Sequence, residues 1–256
     1  MKIASLFLIS ILSCGCTAKK MVVKNADVLV EYQIKKRLPL YSAQKEKLSK
    51  DVKAFLNDQK ALTKKSLPII SQIELDPQKV DVQYDTLQGL YKDLALHFSK
   101  LMGRYMALLD SKQQKEFKLN LDGENRQLRR FDSNDLIEKT EEQVEFLFGA
   151  ITDEQIKLIK DHGPYLAARH KVRLSRRKML HENFSKIYKM DLSKESRETY
   201  FDEAFNEYQN NYPENPKNKE LIKKLLTTLN MEQKEVFKKK VKELKEIINY
   251  YLEIHY

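Results

Sequence analysis

The chain has 256 residues, 47 of them basic and 37 acidic, for a formal charge of +10, with no Trp, two Cys and only six each of Gly and Pro. So few turn-formers beside so much Lys, Glu, Leu and Gln exclude a sheet protein with Gly-rich turns and indicate long helices. The basic balance points to anionic partners.

The first stretch, "MKIASLFLIS ILSCGCTAKK", places one Lys before an apolar run and small residues with Cys after it. That is the layout of a secretory signal, assigned here to residues 1–13. The run Ile3 to Leu12 is too short to cross a bilayer, which takes about 20 apolar residues. The only cysteines, Cys14 and Cys16, stand at the cleavage region. The rest of the chain therefore has neither a disulfide framework nor a Cys-based metal site. A Cys confined to this position resembles the lipobox of bacterial lipoproteins. Cys14, after Ile11-Leu12-Ser13, fits it better than Cys16, the alternative. The resemblance implies an acyl anchor at the N-terminus. Neither Gly15 nor Thr17 is the Asp that retains such proteins at the inner membrane, so the expected location is the outer membrane, facing the periplasm. Nucleic acid is not an expected partner of an exported chain.

Residues 14–24 read as a linker, and 25–256 as a single helical domain. Asn25 is the expected cap of a helix through "ADVLVEYQIKKRL", which Pro39 ends. A second helix starts near Ser42, and Pro68 ends or kinks it. Asp76-Pro77 pairs a capping Asp with Pro at the first helical position. From there Val80, Tyr84, Leu87, Tyr91, Leu94, Phe98, Leu101, Tyr105 and Leu108 form one apolar stripe at 4-3 spacing. Its length suggests antiparallel helices packing along it. Further starts are expected at Ser133, Gly163-Pro164, Ser193 and Asn215-Pro216. The last helix carries Phe237, Val241, Leu244, Ile248 and Tyr251. No run shows strand alternation. The expected fold is all-α, an elongated multi-helix bundle of about eight to ten helices.

One phrase recurs. "LDSKQQKEF" (109–117), "ITDEQIKLI" (151–159) and "LNMEQKEVF" (229–237) share an aliphatic residue, a capping residue, Gln three positions on and an apolar residue four beyond that. "LYSAQKEKL" (40–48) is a degraded copy. Asp110/Gln113, Thr152/Gln155 and Asn230/Gln233 fit the capping box, in which the first side chain accepts the N3 amide and Gln bonds the cap's own N–H. The irregular spacing excludes a solenoid.

The phrase resembles the LTxxQ motif of the Spy-type periplasmic chaperones and their stress-sensor relatives. More broadly, "VVKNADVLVEYQIKKRLPL" (22–40), these helix starts, "ENRQLRRF" (124–131) and "YLAARHKVRLSRR" (165–177) are similar, in order, to an uncharacterised family of bacterial lipoproteins carrying a domain of unknown function. That likeness implies a periplasm-facing helical lipoprotein and supplies no catalytic residue.

The five histidines, His97, His162, His170, His181 and His255, contain no His-x-x-x-His pair, and no metal or other cofactor is expected. No nucleophile elbow, phosphate loop or dinucleotide fingerprint is present, so the expected function is non-enzymatic. The basic segment "RHKVRLSRRK" (169–178) is the main candidate site. On a helix, Arg169, His170, Arg173, Arg176 and Arg177 share about one third of the circumference. Leu166, Leu180, Phe184 and Ile187 fall on the same side. Arg126, Arg129 and Arg130 form a second cluster. Arg suits anions because its planar fork bonds phosphate and carboxylate in pairs. The competing reading pairs these Arg with Glu138, Glu141, Glu142 and Glu145 of a neighbouring helix. The helix-spaced Tyr84, Tyr91, Phe98 and Tyr105 read as core, with a client-binding stripe as the alternative. The partners implied are the membrane through the N-terminal lipid, and anionic envelope lipid, lipopolysaccharide or client proteins. The functional expectation is a helical binding or chaperone-like envelope lipoprotein. The alternatives are an accessory or enzyme acting on an anionic component through the Arg-rich helix, and a carrier holding lipid between helices.

Overall fold

A computed structural model describes residues 16–211, 213 and 215–255, with side chains from residue 20 onward. The signal stretch and Cys14 lie outside the described residues, and Cys16 opens the first helix without a described side chain. Among the described residues there are ten helices and no strand. They are α1 (Cys16–Lys24), α2 (Ala26–Lys35), α3 (Ser42–Ser71), α4 (Val80–Ala107), α5 (Ser111–Arg129), α6 (Ser133–Phe148), α7 (Asp153–Lys189), α8 (Lys194–Asn210), α9 (Pro216–Thr227) and α10 (Met231–Glu253). The molecule is an all-α multi-helix bundle.

Several expected boundaries move. Residues 16–24, read as linker, form a helix whose Val23 is buried against Ile247 of α10. Asn25 does not cap α2. Its side-chain amide donates to the Met21 carbonyl at 2.7 Å, so it closes α1 instead. Pro68 lies inside the last turn of α3 and the helix runs on to Ser71. The cap of α6 is Asp132, one residue before the expected Ser133. Its carboxylate accepts from the Asn134 and Asp135 amides, and Asp135 answers as the box partner. Asn215 makes no cap. It is buried, accepting from the Tyr165 hydroxyl at 2.6 Å and donating to Tyr84.

The largest change is at Gly163-Pro164, where a helix restart was expected. α7 instead runs unbroken for 37 residues, about 55 Å at 1.5 Å per residue. A Cβ at Gly163 would lie 2.7 Å from Ile137 Cδ1. The missing side chain thus lets α6 lie close against α7, and this packing outweighs the proline's local preference.

Two cores result. The first gathers Ile34 and Leu38, Leu48 and Val52 of α3, Tyr105 and Met106 of α4, Phe117 of α5, Phe184 of α7 and Phe201 of α8. The second joins Val80, Val144 and Phe148 of α6, Ile159 of α7, and Leu221 and Leu225 of α9. α7 serves both, with Ile159 in one and Leu180, Phe184 and Ile187 in the other. The α4 stripe is buried at its C-terminal end. Val80 at the other end is buried in the second core, and Leu87 between the two ends, expected inside, is 38 % exposed.

The recurring phrase proves to work in couples. All three capping boxes form as expected. Beyond the box, the Gln155 and Gln233 amides bond each other reciprocally, at 3.0 and 2.9 Å. Their spare N–H groups reach Thr228 and the Ala150 carbonyl. The starts of α7 and α10 are thereby fastened together. The first two copies repeat the arrangement at the starts of α3 and α5. Gln113 donates to Gln44 at 2.7 Å and to the Pro39 carbonyl, and Gln44 donates to the Leu108 carbonyl. Tyr41, a poor cap, sends its hydroxyl to Asp110, the cap of α5, at 2.8 Å.

Candidate functional site

The Arg-rich face of α7 is dispersed among internal acceptors. Arg169 donates to the Pro213 carbonyl at 3.2 Å. Arg176 donates to the Tyr208 and Asn211 carbonyls and stacks over the Tyr208 ring at 4.8 Å. It thus sits at the C-terminal end of α8, where the helix dipole favours a cation. His170 takes the Leu128 carbonyl at the end of α5, at 2.8 Å. Arg173 is half-buried and has no partner among the described residues.

Arg177 belongs to a different assembly. Its guanidinium bonds Glu124 and, through Nε, the side-chain Oδ1 of Asn125 at 2.7 Å. Glu124 also takes Arg37 Nε at 2.9 Å. One carboxylate on α5 therefore holds two cations, leaving the group with one net positive charge. All three side chains are mostly buried, between 17 and 23 % exposed. Among the described residues, the bonds of these Arg go to acceptors other than the expected Glu138, Glu141, Glu142 and Glu145. The acid is Glu124 of α5, the first residue of the otherwise basic segment "ENRQLRRF". Arg126, Arg129 and Arg130, from the same segment, are exposed and unpaired among the described residues.

Beside this triad lies His181. Asn125 Oδ1 is occupied by Arg177, so its Nδ2 faces His181 Nδ1 at 3.0 Å. That makes Nδ1 the acceptor and puts the imidazole proton on Nε2. Burial, reinforced by the nearby Arg177 charge, pushes the imidazole down to about 4, so the ring is neutral at neutral pH. The ring stacks on Phe184 at 6.1 Å.

His181 and Phe184 open onto a hollow in the first core. This cavity has a volume of about 300 Å³, and eight of the ten helices contribute to its wall. Phe55 and Phe98, in edge contact at 6.2 Å, line its middle with Leu94, Ala95 and Met102. Phe205, Leu244 and Ile248 close it from α8 and α10. Its polar lining is sparse, and Gln59, one of those few groups, bonds His97 at 3.0 Å. Tyr91 and Phe98, expected as core, are cavity lining, while Tyr105 is wholly buried with its hydroxyl on Asp51 at 2.9 Å. Burial, aided by the Asp51 carboxylate, pushes that phenol above its ordinary range.

A second depression runs along the outside between α5 and α7. It is lined by Arg126 and Arg129 and by lysines of both helices, with Asp122 and Glu182 the only acids. Among the described residues, no group of three or more His, Cys, Asp and Glu could hold a metal ion, and no helix is long and apolar enough to cross a membrane.

Comparison with family models, curated proteins and solved structures returned no match. The likeness to lipoproteins and to LTxxQ proteins rests on the motifs alone.

Proposed function

We propose that the protein is a non-enzymatic, lipid-anchored binding protein of the bacterial outer membrane, facing the periplasm, and that its ligand is an apolar chain held inside the bundle. The hollow of the first core carries this reading. Its 300 Å³ lies at the lower end of the range of small-ligand pockets. Its walls are mainly apolar and offer water few hydrogen-bond partners. An apolar occupant would exchange that poorly held water for contacts with the wall. The signal-like start and the solitary Cys14 and Cys16 support the anchor and the compartment. The reading in which the α7 arginines act on an anionic component loses ground, because Arg169, Arg176 and Arg177 already bond acceptors within the chain.

The test uses the full chain with both cysteines replaced by serine. Dodecanol supplies an uncharged chain. A saturating amount should raise the melting temperature by about 5–10 °C, the shift expected at a hundredfold excess over Kd. Ala95→Trp, which fills the cavity, should raise the ligand-free melting temperature and abolish the shift. No response of the unsubstituted chain up to the solubility limit would contradict the proposal.

A further inference from the structure

The cavity and the outer groove share a wall. Phe117, Leu121, His181 and Phe184 each line both. Phe117 and Phe184 are ring neighbours at 6.4 Å, and His181 also stacks on Phe184, at 6.1 Å. Only side chains separate the apolar interior from the groove at this point.

The groove is strongly cationic on its far side. Seven Lys and Arg line it against two carboxylates. Those two are already committed within their own helices, Asp122 to Lys118 at 3.0 Å and Glu182 to Lys178 at 3.7 Å. Arg126, Arg129, Lys115, Lys186 and Lys189 have no partner among the described residues. Arg126 and Arg129 are three positions apart on α5, so they share a face and repel each other. Such a set gains most from a ligand that brings negative charge, and Arg bonds carboxylate or phosphate through two N–H groups at once.

We propose that the α5–α7 groove is the headgroup site of the cavity, so that the ligand is a single-chain lipid with an anionic head. Its chain passes the Phe117–Phe184 wall into the hollow, and its carboxylate or phosphate rests on Arg126 and Arg129. This rests on the cavity reading above and adds the head to the chain. The triad of Arg37, Glu124 and Arg177 lies behind the wall, and its surplus positive charge favours the same polarity.

Titration calorimetry on the same cysteine-free full chain separates the possibilities, using four probes: dodecanol, laurate, dodecyl phosphate and inorganic phosphate. Laurate and dodecyl phosphate should bind at least tenfold more tightly than dodecanol, with an advantage that shrinks as salt is added. Arg126→Glu with Arg129→Glu, both exposed, should remove that advantage and leave dodecanol binding unchanged. Lys64→Glu with Lys65→Glu, an exposed pair that lines neither cavity nor groove, should keep it. Equal binding of dodecanol and laurate would overturn the headgroup site while leaving the cavity reading intact. So would an anionic advantage that survives the Arg reversal. Inorganic phosphate binding as tightly as dodecyl phosphate would make the groove an independent anion site and overturn the coupling of head to chain. If no chain binds, the cavity reading fails and the headgroup site with it.

Discussion

His181 shows how a single side chain ties the buried interior to solution conditions. Burial is the main reason its imidazole stays neutral, and the Arg177 guanidinium adds to it, against the weaker pull of Glu124 and Asp122. In the unfolded chain the ring takes up a proton near its ordinary value of 6.5, whereas in the folded chain it does so only near 4. The stability it allows above pH 6.5 is therefore lost progressively as the pH falls toward 4. The loss is on the order of 3 kcal/mol. Urea unfolding at pH 7 and pH 4 should show it, on top of the carboxylate contribution common to all variants. His181→Gln, which has no proton to gain, should narrow the difference between the two pH values by that amount. An unchanged difference would mean that the ring is not held neutral where it stands.

Among elements, the paired Gln boxes account for the recurring phrase. A helix start leaves amide donors without intrahelical partners, and each box satisfies some of them. Here each Gln carries a second duty. Gln155 Oε1 accepts both the Thr152 amide and the Gln233 side chain, and Gln233 Oε1 accepts both the Asn230 amide and Gln155. Both residues are at most 2 % exposed. Replacing either by Leu removes one donor and one acceptor partner from the other, which is buried, at a cost of about 2–3 kcal/mol. Chemical denaturation of Gln155→Leu, Gln233→Leu and the double variant should give a double cost at least about 1 kcal/mol below the sum of the singles. Additive costs would mean that the two amides do not depend on each other.

The boxes were legible from sequence because a capping box is local, written in residues three positions apart. Their pairing was not, since Gln113 meets Gln44 and Gln233 meets Gln155 across 69 and 78 residues. The Asp132–Asp135 box escaped because Asp stands where Glu or Gln is the usual partner. Gly163-Pro164 misled for a related reason. A proline's local effect is visible in the sequence, but the Ile137 side chain that makes the glycine useful is not. The segment 169–178 is helical, as expected. What each guanidinium would find opposite it depended on Glu124, Asn125 and the end of α8, which no helical periodicity reveals.

At the scale of the whole molecule, the stripes on α4, α7 and α10 identify which residues turn inward but not how completely they fill the space they enclose. Tyr105 and Phe201 pack without exposure, whereas Leu94, Phe98 and Leu244 turn inward and still leave a hollow. The cavity is thus a property of eight helices meeting at once. It lies in the first core, the groove lies on its outer wall, and α5 and α7 supply residues to both. That arrangement matches a ligand with one apolar and one charged end. A crystal structure of the chain with 12-bromododecanoate tests it most directly, because bromine marks the end of the chain by anomalous scattering. The account predicts the bromine peak inside the hollow, among Phe55, Ala95 and Phe98, with the carboxylate in the groove beside Arg126 and Arg129. A bromine peak confined to the outer surface, with the hollow empty or holding ordered water, would contradict it.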